Sequence, residues 1–180
     1  LSSSRKKIMI KFALLGCGRI AKKHSELLGN GQIKNATLKS VCDIDLERAK
    51  TLGLKYDVPY YGNLVDMLNN EDIDVVSILT PSGNHYENVI EVANFNKHVI
   101  VEKPMALKID HAKSMIKKCE ENSVKLFVVK QNRFNLPIKK LKEALLNKRF
   151  GKLLLGTVRV RWCRDQQYYD QDKWRGTWEQ

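Results

Sequence analysis

Apolar runs and helically spaced apolar positions take turns along most of the chain. Ile8 to Leu15 is a continuous, β-prone apolar run, after which Ile20, His24, Leu27 and Leu28 recur at helical spacing. A second run, Ala36 to Cys42, ends at Asp43 and predicts a helix from Asp45 with Leu46, Ala49 and Leu52 on its inner face. Tyr60 and Tyr61 read as a short strand, Leu64 to Asn69 as a short helix, and Val75 to Leu79 as a buried strand. Asn84 to Glu87 has capping-box spacing and predicts a helix that buries Val89, Ile90 and Ala93. His98 to Val101 is another strand of the parallel kind. Ile109, Ala112, Met115, Ile116 and Cys119 mark the next helix, and Leu126 to Val129 a final buried strand. Strict β-then-α alternation predicts an α/β fold, a Rossmann-type doubly wound parallel sheet.

The pattern then changes. Pro137 stands where a helix begins, with Ile138, Leu141, Ala144 and Leu145 inward, and Gly151 closes it ahead of a strand-like run from Leu153 to Cys163. A lone strand can neither pair its backbone groups nor shield both faces. The expected organisation is therefore a first domain over residues 1–133 and, over 134–180, the start of a second, α+β domain whose open sheet is cut short, as in a fragment of a longer polypeptide.

Composition narrows the class. No apolar run approaches the ~20 residues that span a bilayer, and the polar, basic start has no export signal. Cys17, Cys42, Cys119 and Cys163 are scattered without metal-ligand spacing, so reduced thiols in a cytoplasmic protein, and no metal, are expected. The net charge of +12 raises the question of a polyanionic partner. The lysines, however, alternate with apolar positions on several predicted helices and read as solvated faces, which disfavours nucleic acid. Arg159, Arg161 and Arg164 differ: arginines in an aromatic-rich segment suit a phosphate or carboxylate ligand.

The chemistry concentrates at strand ends. Gly16-Cys17-Gly18-Arg19-Ile20-Ala21 follows the first strand and opens the first helix, as a dinucleotide fingerprint requires. Gly16 permits the tight turn, Gly18 lets backbone approach a pyrophosphate, and Ala21 keeps helix and sheet close. Asp43 ends the second strand, where an acid accepts the adenosine ribose hydroxyls and repels a 2′-phosphate; this favours NAD over NADP, with Arg48 as the residue that would soften the preference. Thr80, Pro81 and His85 lie at the end of the fourth strand, either lining the crevice or serving only to start and pack a helix. Glu102-Lys103-Pro104 ends the fifth. There Lys103 is a candidate acid/base, buried beside the cofactor, or an ordinary solvated turn lysine; Pro104 fixes the adjoining backbone and is a candidate for a cis bond. Gln131 and Arg133 follow the sixth strand as substrate clamps or interdomain contacts.

These motifs, in this order, resemble the Gfo/Idh/MocA oxidoreductase family: the Gly16–Ala21 turn, Asp43, Thr80 to His85 and above all His98 to Ala106. Gln131 to Ile138 and Val158 to Trp178 are similar to its branch that oxidises UDP-N-acetylglucosaminuronate at C3 in bacterial surface-polysaccharide synthesis. The resemblance implies NAD as cofactor, held by Gly16, Cys17, Gly18, Arg19, Ile20, Asp43, Thr80, Pro81, His85, Glu102, Lys103, Gln131, Trp174 and Arg175. It implies Lys103 as the catalytic lysine, with Lys103, Arg133, Arg164 and Tyr168 toward a nucleotide-sugar substrate. It further implies a second domain that forms a homo-oligomer interface, and a partner histidine downstream of Trp174-Arg175 that this sequence does not reach. Another sugar or polyol dehydrogenase of the family, and a non-catalytic NAD-binding sensor, stand as alternatives.

Overall fold

A computed structural model describes residues 9–171 of the chain. Two compact units meet between Val129 and Lys130, a few residues ahead of the boundary read from the sequence.

The first unit is a six-stranded, wholly parallel sheet in the order β3-β2-β1-β4-β5-β6. Its strands are β1 (Ile10–Leu15), β2 (Ala36–Cys42), β3 (Tyr60–Tyr61), β4 (Val75–Ile78), β5 (His98–Val101) and β6 (Leu126–Val128). Between them run α1 (Arg19–Gly29), α2 (Leu46–Tyr56), α3 (Leu64–Asn70), α4 (His85–Asn94) and α5 (Ile109–Glu121). The order reverses between β1 and β4, which opens a crevice at their carboxyl ends.

Side-chain alternation on β1 divides the core. Ala13 and Leu15 join a cluster built with Leu64 and Met67 of α3, Val89 and Val92 of α4, and Met115 and Cys119 of α5. Leu14 points the other way, into a cluster with Ala21 and Leu28 of α1 and Val41 of β2. Period-two alternation and burial on both faces together define a doubly wound sheet. Each large side chain wholly buried there, such as Leu14, Met67 or Met115, contributes about 1.5–3 kcal/mol of transfer free energy.

The helices sit where the sequence predicts, and Leu28 of α1, Ala49 of α2 and Met115 and Cys119 of α5 are buried as read, but other positions of the predicted faces are not. In α1 the buried residues are Ala21, Ser25 and Leu28, while Ile20 is exposed and His24 half-buried. In α2 Ala49 and Gly53 face the sheet and Leu46 is 49% exposed. In α5 Ile109 and Ile116 are exposed. A neighbour no larger than Ala or Gly allows a helix backbone to approach the sheet, so close packing overrides the hydrophobic stripe. The capping box at Asn84 does not form. A 3-10 turn, Ser82–Asn84, precedes α4, so Asn84 is already helical and makes no side-chain cap bond. The genuine caps are Asp45, which accepts from the Glu47 and Arg48 amides, and Asn63, which accepts from Asp66.

In the second unit, α6 (Leu136–Leu146) carries Pro137 in its first turn as predicted, and α7 (Gln166–Asp170) is capped by Asp165. The strand predicted over Leu153 to Cys163 does not form: those residues are irregular, and Leu154, Leu155 and Val158 are exposed. A strand exists through its ladder, and no strand of this unit is present among the described residues. For want of a covering element in the unit, Ile138, Leu141 and Leu145 are exposed rather than inward. Among the described residues no helix is long and apolar enough to cross a membrane.

Candidate active site at the carboxyl edge of the sheet

Parallel register places the functional segments in one row. Leu15 pairs with Cys42 and Ile78, Ile78 with Val101, and Val101 with Val128. The next residues of those strands are therefore neighbours, locked by backbone bonds: Gly16 N donates to Cys42 O at 2.8 Å, Leu79 N to Leu15 O at 2.8 Å and Glu102 N to Ile78 O at 3.1 Å.

The turn after β1 is built for close approach. Gly16 has φ +97°, and a Cβ there would lie 2.9 Å from the backbone carbon and oxygen of Leu79. Gly18 precedes α1 in extended conformation; it offers no side-chain cap, and a Cβ on it would meet nothing within 4 Å. An uncapped helix N-terminus facing open space, with its positive dipole end outward, is the environment a phosphate requires. Arg19 and Ile20 open the helix, Ile20 with its side chain exposed.

Asp43, only 9% exposed, accepts from Cys17 N at 2.7 Å and from Asp45 N at 2.9 Å. The carboxylate thus ties the glycine turn to the start of α2 while standing at the edge where a ribose would lie. Beside it a pocket of about 310 Å³ is lined by Cys17, Asp45, Glu47, Arg48, Thr51 and Leu52. Arg48 is held there by Asp45, Nε to carboxylate at 3.1 Å. The Cys17 and Cys42 thiols are pushed up to about 12, first by burial and then by the Asp43 charge. Open turn, uncapped helix, acid and pocket together fit a dinucleotide.

Thr80 donates from Oγ1 to Asn88 at 2.8 Å, and Pro81 is exposed. His85 is 1% exposed, with Nδ1 2.7 Å from Pro104 O and Nε2 3.0 Å from Thr80 O. It packs within the site, so of the two readings of this segment the ring itself follows the packing one. Glu102 is half-buried; a hydrogen bond with His24, the largest influence, holds its carboxyl below the usual carboxylate range against the opposing effect of burial. His24 Nε2 and Glu102 Oε1 stand 3.6 Å apart, and Glu102 Oε2 accepts from Lys103 N at 3.1 Å. The Lys103–Pro104 peptide is cis. Lys103 itself is exposed, the solvated-turn alternative of the two readings the sequence offered.

The second unit holds the remaining candidates. Gln131 and Arg133 belong to a short, exposed 3-10 turn, Gln131–Phe134. The Arg164 guanidinium lies 5.0 Å from the Trp162 ring and 4.5 Å from that of Tyr168. Trp174 and Arg175 lie outside the described residues. Sequence reasoning missed His24, Asn88 and the Thr51 and Leu52 wall of the pocket. The one-turn spacing of His24 from Ala21 was legible, but its contact with Glu102, far along the chain, was not.

Comparison with known proteins agrees with this geometry. The model of the Gfo/Idh/MocA oxidoreductase family, described by its NAD-binding Rossmann fold, matches residues 10–130. The WlbA dehydrogenase of Bordetella pertussis, solved in complex with NADH and UDP-GlcNAcA, is 41% identical with a TM-score of 0.89, over 95% of this chain and 52% of that one. The WlbA enzyme of Chromobacterium violaceum, solved with the same two ligands, is 43% identical with a TM-score of 0.89, over 95% of this chain and 49% of that one. Myo-inositol 2-dehydrogenase of Thermotoga maritima is 31% identical over 79% of this chain and 42% of its own length. The chain thus spans about half the length of such relatives.

Proposed function

The chain belongs to the Gfo/Idh/MocA family of oxidoreductases, and from that premise we propose that the protein is an NAD-dependent dehydrogenase oxidising the 3-hydroxyl of a UDP-sugar uronate of the UDP-N-acetylglucosaminuronate type. The observation that carries the reading is the single row formed by the Gly16 turn, Asp43 and Lys103 along one sheet edge. The substrate class rests on similarity: 41% and 43% identity to the two structures solved with UDP-GlcNAcA, against 31% to the inositol dehydrogenase. The step belongs to surface-polysaccharide synthesis in the cytoplasm, and the second unit contributes to a homo-oligomer interface. Four free cysteines suit a reducing compartment.

NAD, when bound, supplies the hydride acceptor. The α1 N-terminus and the Gly18 backbone would hold the pyrophosphate, and the Asp43 carboxylate would accept from the adenosine ribose and disfavour a 2′-phosphate. Arg48, paired with Asp45 only through Nε and exposed, is the residue that would soften that repulsion. At the far end of the row the Lys103 amine takes the hydroxyl proton at Nζ as the carbon-bound hydrogen departs with its electron pair. Arg133 and Arg164 answer the diphosphate and uronate charges of the substrate.

The test uses the full-length protein, NAD and UDP-N-acetylglucosaminuronate, with absorbance of the reduced nicotinamide as readout. Turnover is expected with that substrate and not with myo-inositol; the opposite preference would favour the polyol branch, and NAD binding without any turnover would favour a sensor. Lys103→Ala should lower kcat by about 10²–10⁴-fold with NAD affinity nearly unchanged. Joint loss of binding and turnover would make Lys103 structural.

A further inference from the structure

The Lys103 turn is gripped on both sides by histidines that no proton transfer in the proposed reaction uses. On the Pro104 side, His85 of α4 is buried and places its two ring nitrogens 2.7 Å from Pro104 O and 3.0 Å from Thr80 O. An imidazole with a single N–H donates to one of these carbonyls, and one with two donates to both; in either form the ring fills the gap between two loops. On the Glu102 side, His24 of α1 stands 3.6 Å from the Glu102 carboxylate, whose other oxygen accepts from the Lys103 amide. The two side chains of this second pair are 21% and 12% exposed, shielded enough for the contact to matter more than a surface ion pair.

Both histidines lead back to the cofactor turn. His24 rides on α1, the helix that Gly18 opens. His85 reaches Thr80, which follows the Leu79 backbone against which Gly16 is packed. We propose that His24 and His85 are positioning residues: a two-histidine bracket that fixes the Lys103 turn, on its Glu102 and Pro104 sides, to the frame that seats the dinucleotide. A loose turn would spread the position from which the lysine projects, which works against a near-attack geometry, and a bracket on its two chain neighbours restrains that backbone without touching the amine. The inference rests on the proposed catalytic use of Lys103, but the bracket itself is a statement about the turn.

The experiment therefore has two arms on the full-length protein and its His24→Leu, His85→Leu, His24→Asn and His85→Gln variants. In the first arm, hydrogen exchange is read at residues 102–106 without ligand. Each leucine variant should accelerate it about tenfold, as expected for losing the His85 hydrogen bonding or the shielded His24–Glu102 contact, with the Asn and Gln variants in between. In the second arm, kcat for the UDP-sugar should fall about tenfold in each leucine variant with partial rescue by Asn or Gln, and in His24→Leu, whose ring is not among the cofactor-holding residues, the Kd for NAD should stay within twofold of wild type. Unchanged exchange in both leucine variants, or kcat and NAD affinity falling together in His24→Leu, would overturn the bracket. If His85→Leu does not fold, His24→Leu and His85→Gln carry the same decision. A wild-type protein that turns over no UDP-sugar defeats the functional reading alone, because the exchange arm still decides the bracket.

Discussion

Replacing Gly16 and Gly18 by alanine separates the folding role of the dinucleotide turn from its binding role. At Gly16 φ is +97°, a region in which an L-residue is disfavoured by roughly 1–2 kcal/mol. The added Cβ would sit 2.9 Å from the Leu79 carbon and oxygen and 3.0 Å from Thr80 N, all backbone atoms of a paired strand end. Carbon pairs prefer about 3.5–4.0 Å, so strand or turn must shift, and overpacking of this kind typically costs about 1–3 kcal/mol. Gly16→Ala should therefore lose about 2–5 kcal/mol, a large part of the roughly 5–15 kcal/mol that holds a domain of this size together. At Gly18, φ −76° and ψ −160° suit alanine and nothing lies within 4 Å of its Cβ, so the folding penalty should stay below about 1 kcal/mol. On the proposed placement of NAD the pyrophosphate approaches through that open space, and a methyl group in it should weaken NAD by about tenfold or more. Urea unfolding and calorimetric NAD titration on the two variants read both quantities. A Gly16→Ala protein within about 0.5 kcal/mol of wild type would refute the steric argument. Wild-type NAD affinity in Gly18→Ala would refute the placement of the phosphates.

Asp43→Ala removes the acceptor from two shielded amides, those of Cys17 and Asp45, and should cost about 2–4 kcal/mol in urea unfolding. Calorimetry on Asp43→Asn, which keeps one acceptor oxygen, should show a milder loss of stability together with a narrowed preference for NAD over NADP. For the thiols, Cys17 and Cys42 are pushed up to about 12, so at pH 8 both remain protonated and should resist a disulfide reagent until the protein unfolds, while exposed Cys163 reacts at once. Both groups have folded-state values above their ordinary 9.0, so their contribution to stability is complete below pH 9 and should decline as the pH rises from there toward 12, as pH-dependent urea midpoints will show. Rapid labelling of Cys17 in the folded protein would contradict the raised value of its thiol.

The strands of the first unit, their parallel arrangement and the residues that end them were legible in the sequence. Those features are local: uninterrupted apolar runs, a glycine-rich turn and an acid after the second strand report on backbone within a few residues of themselves. A strictly parallel sheet with right-handed crossovers then leaves few topologies to choose from. The burial of Ala21 and Ser25 in α1 and of Gly53 in α2 was not legible, since the small positions that let a helix settle on the sheet carry little hydrophobic signal. The run from Leu153 to Cys163 looked like a strand because propensity is intrinsic to residues, whereas a strand requires a partner ladder. The surroundings of Lys103 depended most on tertiary structure. His24 and Glu102 are brought together by packing α1 over the sheet, and His85 meets Pro104 because β4 and β5 pair in register. Such contacts join residues far apart in the chain, and nothing in the identity of a lone histidine says which carbonyl or carboxylate the fold will bring to it.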